Sequence, residues 1–321
     1  MKHVFKGFAA AVAMTAAGAI AASAAMADTS WPTKPITMLI GYKAGGGTDT
    51  KGRVLSKILA RELGQQVNVI NRPGGGQAVA LESFKSSGTD GDTFFFGAVT
   101  GITLNPQINS ALKFTNQDYV YAGALTEFQV SMVAPQDRPY DDMAGLVKFA
   151  KEKGGIKYAS LSPGAKIIMQ AIAKQEGINV DYIPTKGGRG MVQLVLSNQV
   201  DFAYSGGIQS RYPGKIKTLA AVSSKRLGNY PDTPTLDELG YKGVAMDAPT
   251  VVAFPKGTDA AIIAKMEAAL KAASMDPAMK KISDAIKMPI VYLNAKDASA
   301  LVTSSTAAIA DMLVAIDYKK Q

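Results

Sequence analysis

The stretch Gly45-Gly46-Gly47-Thr48-Asp49 constrains this chain most, because of what flanks it. Before it, Pro35 to Tyr42 reads as a strand: Ile36, Met38 and Ile40 alternate with Thr37, and Leu39 makes the end largely apolar. After it, Arg53 to Leu63 places Leu55, Ile58, Leu59 and Leu63 at helical spacing, and Gly64 stops the pattern. Strand, glycine loop and helix in that order form one unit of an α/β fold. A glycine run at a helix start leaves backbone N–H groups bare at the positive end of the helix dipole, a place that attracts anions, carboxylates included. Thr48 or Asp49 is suited to cap the helix. A plain tight turn before a capped helix has the same signature. No Gly-Lys-Ser/Thr follows, so the loop is not a nucleotide P-loop, and the Gly-x-Gly-x-x-Gly spacing of a dinucleotide site is missing.

An absence is the next constraint. The only histidine is His3 and there is no cysteine. Met1 to Ala27 reads as a secretory signal: Lys2 and Lys6 form a basic start, Phe8 to Ala22 is an Ala-rich apolar run, and Ala25-Met26-Ala27 suits cleavage before Asp28. No cysteine stands there to carry a lipid. The mature chain then has neither His nor Cys. Ser-His-Asp and Cys-His sites, His-based zinc sites and thiol redox chemistry are excluded, while carboxylate or Lys chemistry stays open. No cofactor and no metal is expected. The expected compartment is the periplasm.

Net charge is +9. The basic residues are scattered, with no run interleaved with aromatics, so nucleic acid is not an expected partner. A modest positive field suits an anionic small molecule. No segment after the leader reads as a membrane span.

Strand and helix patterns alternate along the chain. Strands are expected at 66–71, 93–97, 131–134, 157–160, 180–184, 202–204 and 218–222. Helices are expected at 78–86, 141–153, 166–176, around 192–196, and at 260–274, 277–286 and 297–316. A chain of this length usually forms two domains, and this alternation predicts an α/β class with doubly wound sheets.

A series of short motifs carries a resemblance. Trp31-Pro32-Thr33-Lys34-Pro35-Ile36 opens it, followed by Gly45-Gly46-Gly47-Thr48-Asp49, Leu63-Gly64-Gln65-Gln66-Val67, Asn71-Arg72-Pro73-Gly74 and Asp90-Gly91-Asp92-Thr93. Asn105-Pro106, Pro184-Thr185-Lys186-Gly187, Gln199-Val200-Asp201, Leu219-Ala220-Ala221-Val222 and Pro231-Asp232-Thr233-Pro234-Thr235 continue in order. In sequence and spacing these resemble the periplasmic solute receptors of tripartite tricarboxylate transporters, the Bug family, over essentially the whole mature chain.

The resemblance implies a two-domain flytrap. Residues 28–127 plus 248–321 would form the first domain and 128–247 the second, with crossing strands near 127–134 and 249–254. It would be a monomer that closes on a small carboxylate and delivers it to the integral-membrane permease subunits. Gly45, Gly46, Gly47, Thr48 and Asp49 would form one ligand loop. Ser160 to Ala165 would form the other, with Ser160, Ser162, Gly164 and Ala165 as contacts. Thr100, Tyr204 and Ser205 would line the same cleft. The chain departs from the family pattern at Ala44 (Pro in the family), Ser162 (Gly), Ala165 (Ser), Ile168 (His), Thr185 (Tyr) and Asp247-Ala248. It adds Lys43, Lys166 and Arg189 beside the expected loops. Arg189 has the planar fork that matches a carboxylate. The extra charge points to a di- or tricarboxylate.

Two other readings stay open from sequence. One is an exported hydrolase or lyase using Asp49, Asp201 or Asp247 as acid or base. The other is a ligand-presenting partner of a sensor.

Overall fold

Phe94, Phe95 and Phe96 lie side by side in one strand and all three are fully buried. That requires cover on both faces of the sheet. In the computed structural model, which describes residues 30–160, 162–185 and 188–320, Phe94 and Phe96 join one apolar cluster and Phe95 another. The expected signal peptide lies outside the described residues, as do Leu161, Lys186 and Gly187.

The chain begins with β1 (Ile36–Ile40), α1 (Gly47–Leu63), β2 (Val67–Asn71), α2 (Ala78–Lys85) and β3 (Thr93–Ala98). The short turns α3 (Thr100–Thr103) and α4 (Asn105–Ile108) lead to β4 (Tyr119–Glu127). Then come β5 (Ser131–Pro135), α5 (Met143–Lys153), β6 (Ile156–Ser160), α6 (Pro163–Glu176), β7 (Val180–Pro184), α7 (Gly188–Leu196), β8 (Phe202–Ser205) and β9 (Ile216–Ala221). The return is β10 (Pro249–Pro255), α8 (Ala260–Met275), α9 (Pro277–Ile286), β11 (Ile290–Leu293) and α10 (Ala295–Ala315).

Two α/β sheets result. The first runs β11-β4-β10-β3-β1-β2 and the second β7-β6-β8-β5-β9. β1 is parallel to β2 and β3, while β10 is antiparallel to β3 and β4. In the second sheet β6 is parallel to β7 and β8, and β5 is antiparallel to β8. Ile36, Met38 and Ile40 point with Phe94, Phe96, Val252 and Phe254 into the cluster under α1, whose Leu55, Ile58, Leu59 and Leu63 meet them there. Leu39, Phe95, Val251 and Ala253 point the other way. A Cβ on Gly52 would sit 2.5 Å from Ile40 Cδ1, so its bare Cα lets α1 lie close on β1.

Chain crosses between the sheets at 128–130, after β4, and again at 222–248. There Val222 N–H donates to the Val130 carbonyl, Met246 N–H to Val222, and Phe128 N–H to Ala248. The end of α10 reaches the second sheet: Ile309, Met312 and Leu313 share a buried cluster with Tyr158, Ile168 and Ile172. At 21 residues α10 is long and apolar enough by composition to cross a membrane, which corrects the expectation that no later segment is. Its Ala298, Val302, Ile309, Met312 and Leu313 stripe is buried against protein.

Candidate functional site

The C-terminal ends of β1 and β3 face the ends of β6 and β8 across a seam. A Cβ on Gly76 would lie 3.3 Å from Pro163 at the start of α6, and one on Gly164 would lie 2.9 Å from Leu104. Gly206 meets the Phe128 ring, which packs edge-on against Tyr42 at 6.2 Å between centroids. Tyr42 follows β1 and Tyr204 lies in β8. Burial pushes both hydroxyls far above the usual phenol range, and at Tyr204 the Tyr42 hydroxyl adds to the shift.

The first loop differs from its expected capping. The N-cap of α1 is Gly46, with extended backbone at φ −78° and no side-chain cap, not Thr48 or Asp49. Asp49 instead turns back: Oδ2 accepts the Gly45 N–H at 2.9 Å and the Arg53 Nε–H at 3.0 Å, and Oδ1 pairs with Arg53. Burial raises its carboxyl, but Arg53, the Gly45 N–H and Asn71 outweigh that and hold it below the ordinary value. Its carboxylate is therefore spent on the loop. The N–H groups of Gly47, Thr48 and Asp49, in the first turn of α1, have no acceptor one turn earlier. Lys43, Gly45 and Gly46 are exposed, whereas Thr48 and Asp49 are buried.

At the second loop Ser160 is fully buried, and its Oγ accepts the Ser162 N–H at 2.9 Å. Ser162 is the N-cap of α6, again with no side-chain cap. Gly164 and Ala165 are buried in the packing beside Leu104 and Met246. Thr100 opens α3 at the end of β3. Ser205 is buried; its hydroxyl donates to Gln209 and accepts the Gly207 N–H. Lys166 is exposed and lines a cavity of about 340 Å³ with Gly75, Asn105, Asn109, Pro163 and Tyr318. Arg189 is exposed in the first turn of α7. The seam thus gathers residues beside Tyr42, Gly76, Gly164 and Tyr204, and the cavity lined by Lys166 opens beside Gly75 and Pro163.

Two seam residues escaped the sequence reading. Gln77 is buried with φ +83°, and its amide bonds both the N–H and the carbonyl of Ala98 at the end of β3. It follows Gly74-Gly75-Gly76, a second strand–glycine–helix unit, and that was the available signal. Lys51 is fully buried in α1. Its place four residues before Leu55 on the apolar stripe was the signal there.

The three carboxylates weighed as acid or base are each engaged. Asp49 pairs with Arg53. Asp201 accepts from Lys153 at 2.9 Å and from the Lys157 N–H at 2.8 Å. Asp247 accepts from the Ser224 N–H and hydroxyl.

Comparison with known proteins agrees with this architecture. Residues 52–317 match the family described as Tripartite tricarboxylate transporter family receptor. A protein of Cupriavidus necator, the UPF0065 protein in the gbd 5′ region, is 32% identical over 88% of this chain and 88% of its own. The periplasmic binding protein BugD superposes with a TM-score of 0.78 at 25% identity, covering 91% of this chain and all of that one. MatC of Rhodopseudomonas palustris, solved with bound malate, shares the fold with a TM-score of 0.75 at 21% identity, over 88% of this chain and 99% of that one.

Proposed function

Since this chain belongs to the tripartite tricarboxylate transporter receptor family, we propose that it captures a small di- or tricarboxylate at the seam and delivers it to a membrane permease of that transporter type. One observation carries the reading. The helices that begin at the seam, α1, α2 and α6, have no side-chain cap, whereas α5, α8, α9 and α10 are capped by Asp142, Asp259, Asp276 and Asn294. At α1 the N–H groups of Gly47, Thr48 and Asp49 are donors waiting for an anion; at α6 Pro163 has none and the Ala165 N–H bonds the Ser162 carbonyl, leaving that of Gly164, while at α2 the Ala78 and Val79 N–H groups bond Gly75 and Gly74. With α1 and α6 on opposite sheets, a ligand with a carboxylate at each end can be held by both.

Gly45, Gly46, Gly47, Thr48 and Asp49 are the residues of the first contact, and Ser160, Ser162 and Gly164 those of the second. Thr100, Tyr204 and Ser205 border them. The sheets act as two domains, 28–127 plus 248–321 and 128–247, that hinge at 128–130 and 246–249. The bound state needs no proton-transfer group, in keeping with the committed Asp49, Asp201 and Asp247. The malate held by MatC is of the same ligand class.

A thermal-shift screen of succinate, malate, adipate, phthalate and citrate tests the reading. A ligand that binds only the folded chain raises the midpoint. A dicarboxylate should raise it most, and its monoester little. A preference for neutral solutes, or turnover of the bound acid by mass spectrometry, would overturn the assignment. Exported protein should begin at Asp28 on N-terminal sequencing; retention of Met1 to Ala27 would refute the proposed export.

A further inference from the structure

Lys51 is fully buried, yet no carboxylate pairs with it among the described residues. Its Nζ donates to the Thr126 hydroxyl, which shares a hydrogen bond with the Thr250 hydroxyl. It also lies 5.6 Å from the centroid of the Phe128 ring. One hydroxyl and one ring face leave an ammonium with unused donors in a dry setting, a costly arrangement for a charge. The position is unfavourable in a second way. Lys51 is the fifth residue of α1, where the dipole repels cations. The nearest carboxylate on the helix, Asp49, is engaged by Arg53.

The groups on the surrounding elements do not neutralise it. β4 ends with Glu127, whose carboxyl is pushed up to about 7 by burial and by Asp247, with Lys225 opposing. β10 contributes Thr250. After β1 stands Tyr42, with its hydroxyl pushed further toward the neutral form. Burial alone brings the Lys51 amine down to about 7. The covering residue, Phe128, is also a wall of the seam, in contact with Tyr42 and Gly206.

We infer that Lys51 is the buried counter-charge of the captured anion, acting through the Phe128–Tyr42 wall, and that capture takes up a proton at its amine. The inference rests on the carboxylate-receptor reading and adds its electrostatics. An anion at the start of α1 favours the ammonium form, by the general rule that a nearby opposite charge favours the charged state. The free protein holds Lys51 partly neutral near pH 7, so the complex binds more protons than the free protein. Affinity is then greatest below pH 7 and falls as pH rises. Lys51 positions charge and does not touch the ligand.

The test is calorimetry on the mature chain at pH 7.5, in phosphate and in Tris, with malate or whichever of succinate, adipate, phthalate and citrate gives the largest thermal shift. The heat of binding should differ between buffers in the sense of proton uptake. The dissociation constant should rise by up to about tenfold per pH unit above 7. Lys51→Met should abolish both effects and weaken binding at pH 6.5. Lys51→Arg keeps a charge at every pH, so it should bind well with a flat profile; it carries the test if Lys51→Met does not fold. Buffer-independent heats in the wild type would overturn the inference. So would uptake that survives in both variants, which would assign the proton to Glu127. If no acid binds, the receptor reading fails and this inference with it; binding without uptake overturns this inference alone.

Discussion

Helix starts at the seam and helix starts at the far edges are built differently. β5 and β10 run antiparallel to β8 and β3, so α5 and α8 begin away from the seam; α9 begins beside Arg61, near the end of α1. There Asp142, Asp259 and Asp276 each accept an N–H from the first turn of their own helix. At the seam, glycine or serine stands at the cap of α1 and α6, and the acid nearest α1 is turned away. The far edges place stability first. The seam leaves the first-turn N–H groups of α1 unmet by the chain itself, where the proposed ligand would meet them.

The comparison can be broken most directly at Gly46. Its backbone, at φ −78° and ψ 170°, already suits an acidic cap, and a Cβ there would lie 3.2 Å from the Lys43 carbonyl, close enough to require a small shift. Gly46→Asp should place a carboxylate where the ligand's is expected. Binding should fall about 100-fold, roughly 2.8 kcal/mol, while the free protein gains a few tenths of a kcal/mol. Calorimetry and urea unfolding read the two. Unchanged affinity in a folded variant would remove α1 from the site.

The second effect comes from Lys51. Its amine is depressed in the folded chain to about 7 from an ordinary lysine value near 10.4 when unfolded. In that window the unfolded state binds more protons, so stability should rise as pH goes from 7 toward 10. The melting temperature of ligand-free protein should show this rise, and Lys51→Met should lose it. A wild-type midpoint that is flat or falling over this range would place the amine in water.

A smaller loss is expected at α6. Ser162→Asp should cap the helix and cost about tenfold in affinity, about 1.4 kcal/mol, with little change in stability. If Gly46→Asp acts and Ser162→Asp does not, only the first sheet holds a carboxylate. The smallest effect belongs to the far edge. Asp259→Ala should cost about 1 kcal/mol of stability and leave ligand affinity unchanged. A matching loss of affinity there would erase the distinction between the two kinds of helix start.

Much of the architecture was legible because apolar periodicity is local. β1, β2, β3 and β6 to β8, and most helices, follow from alternating or helical spacing. α1 was expected from Arg53 but begins at Gly47. Thr48, Asp49, Thr50 and Gly52 read as loop because their polar or absent side chains serve a close approach to the sheet and an exposed helix start. β4 and β11 were not read as strands. β4 is buried on both faces and ends in the crossing at 128–130, so no alternation marks it. β11 is half-buried throughout and held by pairing with β4.

By itself, the sequence determined the strand–glycine–helix units, the alternation that makes both sheets α/β, and a content of one histidine, His3, and no Cys, which removes thiol and multi-His chemistry. Those are properties of residue type and short spacing. Tertiary structure decided which helix starts meet across the seam. It also decided that Asp49 turns to Gly45 and Arg53, that Gln77 locks the end of β3, and that Lys51 is buried beside Phe128 with no carboxylate partner among the described residues. Burial and charge pairing depend on partners far along the chain, such as Thr126 and Thr250 for Lys51, and no local pattern reports them.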